Sequence, residues 1–183
     1  MSAYFYETEY GNFGIAEHGG NITHLFFEED RLPDELEIHE TPLIREAASQ
    51  LRRYLSGDAT PFSLPLAPTG TPFFRKAWNY LSQIPYGTTV SYKEVALRIG
   101  SPGGARAIGQ ANHRNPIPIF IPCHRVLGTS GLLTGYRGGI MLKKQLIEME
   151  QGTRQLQFFP DRPIMGSEWL MKLTAGKMRI TII

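Results

Sequence analysis

The sequence predicts an α/β (α+β) protein. A small sheet-plus-helix unit over residues 1–68 precedes a mostly helical unit over 69–150, and a C-terminal extension of unknown role covers 151–183. Three observations carry this reading. Short β-like runs separated by turn residues fill residues 3–28, helical periodicity sets in from Thr41, and four prolines crowd residues 58–72.

The first runs are Tyr4-Phe5-Tyr6, Phe13-Gly14-Ile15-Ala16 and Ile22-Thr23-His24-Leu25-Phe26-Phe27. Tyr10-Gly11-Asn12 and His18-Gly19-Gly20-Asn21 punctuate them, as expected of an antiparallel meander. A helix follows, with Thr41 as N-cap, Pro42 in the first turn and Gly57 as the stop. Leu43, Ala47, Leu51, Tyr54 and Leu55 form its apolar stripe. Pro61, Pro65, Pro68 and Pro72 make the next stretch linker-like and place a domain boundary near residue 68.

Phe73 to Ile84 reads as a helix with Phe74, Ala77, Trp78 and Leu81 inward. Ser91 caps a helix over Tyr92 to Ile99, with Glu94 at the capping-box position. Gly100-Ser101-Pro102-Gly103 breaks the chain before a further short helix, Ala105 to Arg114. Two short helices across a glycine-containing turn fit a helix-turn-helix or an ordinary helical hairpin. The prolines of residues 115–122 exclude a helix and predict a stiff extended segment. Gly135-Tyr136-Arg137-Gly138-Gly139 is a loop where backbone can approach a ligand, and Ile140 to Glu150 is the last helix of this unit. In the extension, Ser167 to Leu173 fits a turn or two of helix and Met178 to Ile183 a strand.

The 183 residues carry a net charge of +2 that conceals an asymmetry. Residues 1–65 sum to −8 and residues 66–183 to +10, while 75–144 hold ten basic side chains and one acid, Glu94. A polyanion partner or a solvated basic face would both account for this. No apolar run approaches the roughly 20 residues needed to span a bilayer, and the N-terminus lacks the pattern of a signal peptide.

The sole cysteine, Cys123, cannot close an intrachain disulfide or build a multi-thiolate zinc site. It is an inert core filler or a nucleophile. His124 and Arg125 follow it, Arg114 lies upstream, and no Asp or Glu occurs between Glu94 and Glu148. Such a setting is expected to push the thiol towards thiolate. A lone cysteine without an export signal points to a reducing compartment, most simply the cytoplasm.

Ile84-Pro85-Tyr86-Gly87, Ser91-Tyr92, Ala105-Arg106-Ala107-Ile108-Gly109, Asn115-Pro116, Ile121-Pro122-Cys123-His124-Arg125-Val126, Gly135-Tyr136-Arg137-Gly138-Gly139 and Glu150 occur in that order. Together they resemble the O6-alkylguanine-DNA alkyltransferase family, the methylated-DNA–protein-cysteine methyltransferases. The resemblance implies an RNase H-like N-terminal domain ahead of a helix-turn-helix DNA-binding domain, which resolves the open choice between the two helical readings. It implies a DNA repair protein that moves the alkyl group of O6-alkylguanine irreversibly onto its own Cys123, once. His124, through a water, would take the thiol proton, with Glu150 orienting that imidazole. Tyr92 would protonate guanine N3. Arg106 would fill the stack vacated by base flipping, with Arg114, Asn115 and Arg125 among the DNA-binding residues and Asn115 also tying the helix-turn-helix to the active-site segment. Tyr136, Val126 and the backbone near Arg137 would line the guanine pocket. The implied partner is double-stranded DNA carrying O6-alkylguanine, met by a monomer, with no membrane, cofactor or metal. A DNA-binding relative that lacks the acceptor cysteine is disfavoured by Cys123 itself. A Cys-dependent hydrolase has no use for the basic stretch or for Arg106.

Overall fold

The computed structural model describes residues 1–152, so the helix and strand expected at Ser167–Leu173 and Met178–Ile183 lie outside the described residues. The meander forms as read: β1 (Ser2–Thr8), β2 (Gly11–His18) and β3 (Asn21–Phe27) are antiparallel neighbours. A two-residue strand that the sequence pattern did not reveal, β4 (Glu37–Ile38), adds in parallel to β1 and gives the order β3-β2-β1-β4. Two residues are too few for an alternation to show.

Alternation along the longer strands divides the sheet into two faces. Tyr6, Phe13, Ile15, Leu25 and Phe27 join the main core with Ala47, Leu51 and Tyr54 of α1 (Pro42–Leu55). Ala3, Ala16 and Phe26 face the other way and close a small cluster with Leu36. Helix α1 starts where its sequence says: the Thr41 hydroxyl accepts from the Ile44 amide at 3.2 Å, and Pro42 occupies the first turn.

The proline-rich stretch is pinned rather than free. Leu66 bridges to Ile22, with the Ile22 amide donating to the Pro65 carbonyl and the Ala67 amide to the Ile22 carbonyl. The same outer edge of β3 donates from the Leu25 amide to the Pro116 carbonyl at 2.8 Å. An edge strand that would offer unpaired backbone groups is thus used to hold the segment leading to Cys123.

Beyond it lie α2 (Pro72–Leu81), β5 (Val90–Ser91), α3 (Tyr92–Arg98), α4 (Ala105–His113), a single 3-10 turn (Cys123–Arg125), β6 (Val126–Leu127) and α5 (Ile140–Glu150). Strands β5 and β6 pair in parallel, which sets the start of α3 beside the residues that follow Cys123. Ser91 caps α3 as read, accepting from the Glu94 amide at 3.1 Å. Helices α3 and α4 pack on each other and on α2, and the Trp78 indole donates to the Ala111 carbonyl at 2.8 Å. One apolar core runs from Tyr6 to Met149, so both halves of the chain bury their surfaces together. Among the described residues no helix is long and apolar enough to cross a membrane.

Candidate active site

The segment before Cys123 is not the extended rod that its prolines suggest. It folds back on itself: the Ile121 amide donates to the Ile117 carbonyl, and Ile119 between them adopts a left-handed conformation with φ of 72°. Prolines fix their own φ and disfavour helix in their predecessors, but they leave Ile119 free to turn. The buried Asn115 side chain staples the turn. Its Oδ1 accepts from the Ile117 amide at 3.0 Å, and its Nδ2 donates to the Ile121 carbonyl at 2.9 Å and to Cys123 Sγ at 3.2 Å. Asn115 was expected among the DNA-binding residues; its burial leaves it no face for DNA, and its bonds make it a tie to the thiol.

Cys123 is 3% exposed and its thiol is pushed above its ordinary value, chiefly by burial. The Asn115 hydrogen bond and the charges of Lys143 and Arg137 pull the other way without prevailing. The resting group is therefore a thiol, contrary to the thiolate expected from the basic neighbourhood. Burial is the main reason, and the nearby positive charge is diverted: Arg114 is exposed, and Arg125 pairs with Glu150.

Arg125, also expected on the DNA side, is 8% exposed and forms a forked pair with Glu150, from Nε to Oε2 at 2.9 Å and from Nη2 to Oε1 at 2.8 Å. Its third arm donates to the Ile84 carbonyl. A guanidinium committed to three buried acceptors cannot also reach a phosphate. Glu150 additionally accepts from the Gly87 amide at 3.1 Å and from the Tyr54 hydroxyl. Burial alone would raise the Glu150 carboxyl, but the hydrogen bond from His124, the charge that ring carries once protonated, and the hydrogen bonds and charge of Arg125 outweigh it and bring the group down to about 2.

His124 is fully buried, with Nε2 at 2.9 Å from Glu150 Oε1. Burial holds the imidazole below its ordinary value, although Glu150 pulls it upward. A neutral ring facing an ionised carboxylate must carry its proton on Nε2. Nδ1 then bears the lone pair, and it has no protein partner among the described residues.

Tyr92, at the start of α3, is half-buried and its hydroxyl lies 2.9 Å from Thr134 Oγ1. Arg106, on α4, is exposed. Val126 is fully buried, and Tyr136 packs edge-on between Phe27 and His124 with its hydroxyl buried and without a partner among the described residues. The Arg137 side chain is engaged within the fold, and the resemblance implied a pocket role only for the backbone beside it. It donates to the Asn115 carbonyl at 3.0 Å and to the Leu25 carbonyl at 2.6 Å, and pairs with Asp30 at 3.3 Å. It clamps β3 to the Asn115 segment.

Two residues escaped the sequence reading. Tyr54 was counted among the apolar positions of α1, and nothing local reveals that its hydroxyl meets residues 70 and 96 positions away. Lys143 is 1% exposed, with Nζ donating to the Val126 carbonyl at 2.7 Å and no ion-pair partner among the described residues. Its position three residues before Leu146 on the inward stripe of α5 was the available signal.

The 6-O-methylguanine DNA methyltransferase models match this chain twice, the ribonuclease-like domain over residues 1–68 and the DNA binding domain over residues 72–152. The chain belongs to this family. Its fold is accordingly α+β, with a ribonuclease-like N-terminal domain and a DNA-binding domain. Among its relatives in the family, the constitutive methylated-DNA–protein-cysteine methyltransferase of Bacillus subtilis is 45% identical over 152 residues, covering 79% of this chain and 92% of that one. The methylated-DNA–protein-cysteine methyltransferase of Mycobacterium tuberculosis is 46% identical over 145 residues, covering 77% and 87%. A crystal structure of Mycobacterium tuberculosis OGT in complex with DNA superposes with a TM-score of 0.79 at 40% identity, covering 85% of this chain and 96% of that one.

Proposed function

We propose that this protein repairs duplex DNA in the cytoplasm by taking the alkyl group of O6-alkylguanine onto Cys123, irreversibly and once per molecule. The observation that carries this reading is the sole thiol, buried beside the His124–Glu150 pair and tied to the DNA-binding unit through Asn115. The relatives' names and the complex of a relative with DNA support the substrate class. Residues 1–68 serve as the supporting domain, and residues 69–150 hold the acceptor and the DNA-facing helices.

The reaction begins with the thiol proton passing through a water to His124 Nδ1, the ring nitrogen left free by Glu150. The Sγ lone pair attacks the alkyl carbon, the S–C bond forms, and the C–O6 bond breaks with its electron pair returning to guanine. Tyr92 offers its proton to guanine N3, so that the base leaves neutral. The thioether on Cys123 has no ready leaving group, which ends the cycle after one event. An alkyl carbon inside a duplex is out of reach, so the nucleotide must rotate out, and exposed Arg106 on α4 fills the gap.

Incubation with O6-methylguanine duplex followed by intact-mass measurement should show one added methyl group, mapped to Cys123, with no turnover at excess substrate. His124→Ala should slow the transfer about 100- to 10,000-fold at neutral pH, the ordinary scale for a lost general base. Release of many equivalents per protein would sink the reading.

A further inference from the structure

We propose that Tyr54 is a third member of the relay, a positioning residue supplied by the N-terminal unit that steadies the His124–Glu150 pair as the imidazole becomes charged. This rests on the reading that His124 takes the thiol proton. The Tyr54 hydroxyl donates to Glu150 Oε1, the same oxygen that lies 2.9 Å from His124 Nε2, and its own oxygen is 3.1 Å from that nitrogen. The three groups thus form a closed triangle with no exposed member.

The direction of each hydrogen bond follows from protonation. Burial, and then the charge of Glu150, holds the phenol well above its ordinary value, so it keeps its proton at every working pH. That proton goes to the carboxylate, which leaves a phenol lone pair facing His124 Nε2–H. The hydroxyl dipole therefore points its positive end at Glu150 and its negative end at the ring. When His124 gains a proton from the thiol, both ends of the resulting ion pair are stabilised, in a dry site where such terms are strong. The other groups that bear on this ring are Arg125 from the 3-10 turn and Lys143 from α5, both of which disfavour its charged form. Tyr136 packs edge-on against it, and Cys123 precedes it in the 3-10 turn. A compensating acceptor on the Nε2 side is what these two cations make necessary.

Shape alone does not call for a tyrosine here. The ring packs on Phe62 at 5.3 Å and Tyr86 at 6.1 Å between centroids, contacts that phenylalanine would keep. A hydroxyl seeking only to satisfy itself needs one acceptor and would leave the titration of Cys123 untouched. The two roles therefore differ in a measurable way.

The experiment compares the parent with Tyr54→Phe, Glu150→Gln, the double variant, and Tyr86→Phe as a control whose lost hydroxyl, among the described residues, bonds only to the Gly57 carbonyl. Cys123 is titrated by the pH dependence of its alkylation by iodoacetamide, read by intact mass, which needs no DNA. The single-turnover rate on O6-methylguanine duplex is followed separately. Tyr54→Phe should move the thiol midpoint to higher pH and slow repair at neutral pH about 3- to 10-fold, with rates converging at alkaline pH. The double variant should be no slower than Glu150→Gln alone, and Tyr86→Phe should match the parent. A Tyr54→Phe profile that superimposes on the parent, effects that multiply in the double variant, or failure of Tyr54→Phe to fold would each assign the hydroxyl to the fold and overturn the proposal. If the parent takes no methyl group from DNA, the repair reading fails while the iodoacetamide titration still decides the role of Tyr54.

Discussion

Arg125 and Glu150 show how far a side chain's work can lie from what its neighbours in sequence suggest. In the linear motif Arg125 stands beside the thiol, yet its charge is cancelled by a carboxylate 25 positions later. Sequence could place Cys123, His124 and Glu150 in one site because their types and order are distinctive. It could not say which arginine touches which anion, because that depends on the packing of α5 against the 3-10 turn. The pair has a consequence for acid stability. Glu150 titrates at about 2 in the folded protein against 4.5 ordinarily, a depressed value, so its contribution is present above 4.5 and is lost as pH falls towards 2. His124, also depressed, adds loss of the same sign below its ordinary 6.5, because the unfolded chain binds that proton more readily. Denaturant titrations between pH 7 and pH 3 should show a steep fall for the parent and a shallower one for Glu150→Gln.

At the scale of elements, the caps and the hairpin turns were readable, and the loops held by distant partners were not. Thr41 and Ser91 begin their helices as their sequence dictates, since a cap is a local bargain between one hydroxyl and one amide. The loop carrying Gly87 and the turn around Ile119 depend on partners far along the chain. Gly87 has a φ of 73°, donates its amide to Glu150 Oε2 and sits where an added Cβ would lie 3.0 Å from the Glu150 carbonyl oxygen. Gly87→Ala should therefore cost about 1–2 kcal/mol from the left-handed backbone alone, with more from the close approach to α5. The same variant should slow alkyl transfer, because the displaced helix end carries the carboxylate that orients His124. Thermal denaturation and single-turnover kinetics on one preparation would check both; unchanged kinetics would show that the loop merely borders the site.

Over the whole molecule, charge and core tell different stories about where the chain divides. Charge separates an acidic first third from a basic remainder, whereas the apolar core runs unbroken through both. The proline-rich stretch reads as a linker from its composition, and it is hydrogen-bonded along β3, whose edge also holds the approach to Cys123. Edge pairing by irregular segments leaves no periodic trace, which is why it was not legible. If the basic side carries the DNA, affinity should fall steeply with salt through release of condensed counterions. Arg106→Ala should slow repair of duplex DNA far more than reaction with free O6-alkylguanine base, which needs no rotation out of a helix. Equal losses on both substrates would place Arg106 in the pocket or the fold. The buried, protonated resting state of Cys123 has a bearing on the protein's life between encounters. A molecule that can react only once is ruined by any stray oxidant or electrophile that finds it first, and both attack thiolates far faster than thiols. At 3% exposure, with a proton in place until a base and a water are aligned, the sulfur is held in reserve. Long storage in air should leave the titre of active protein almost intact, so that its service is ended by damaged DNA rather than by age.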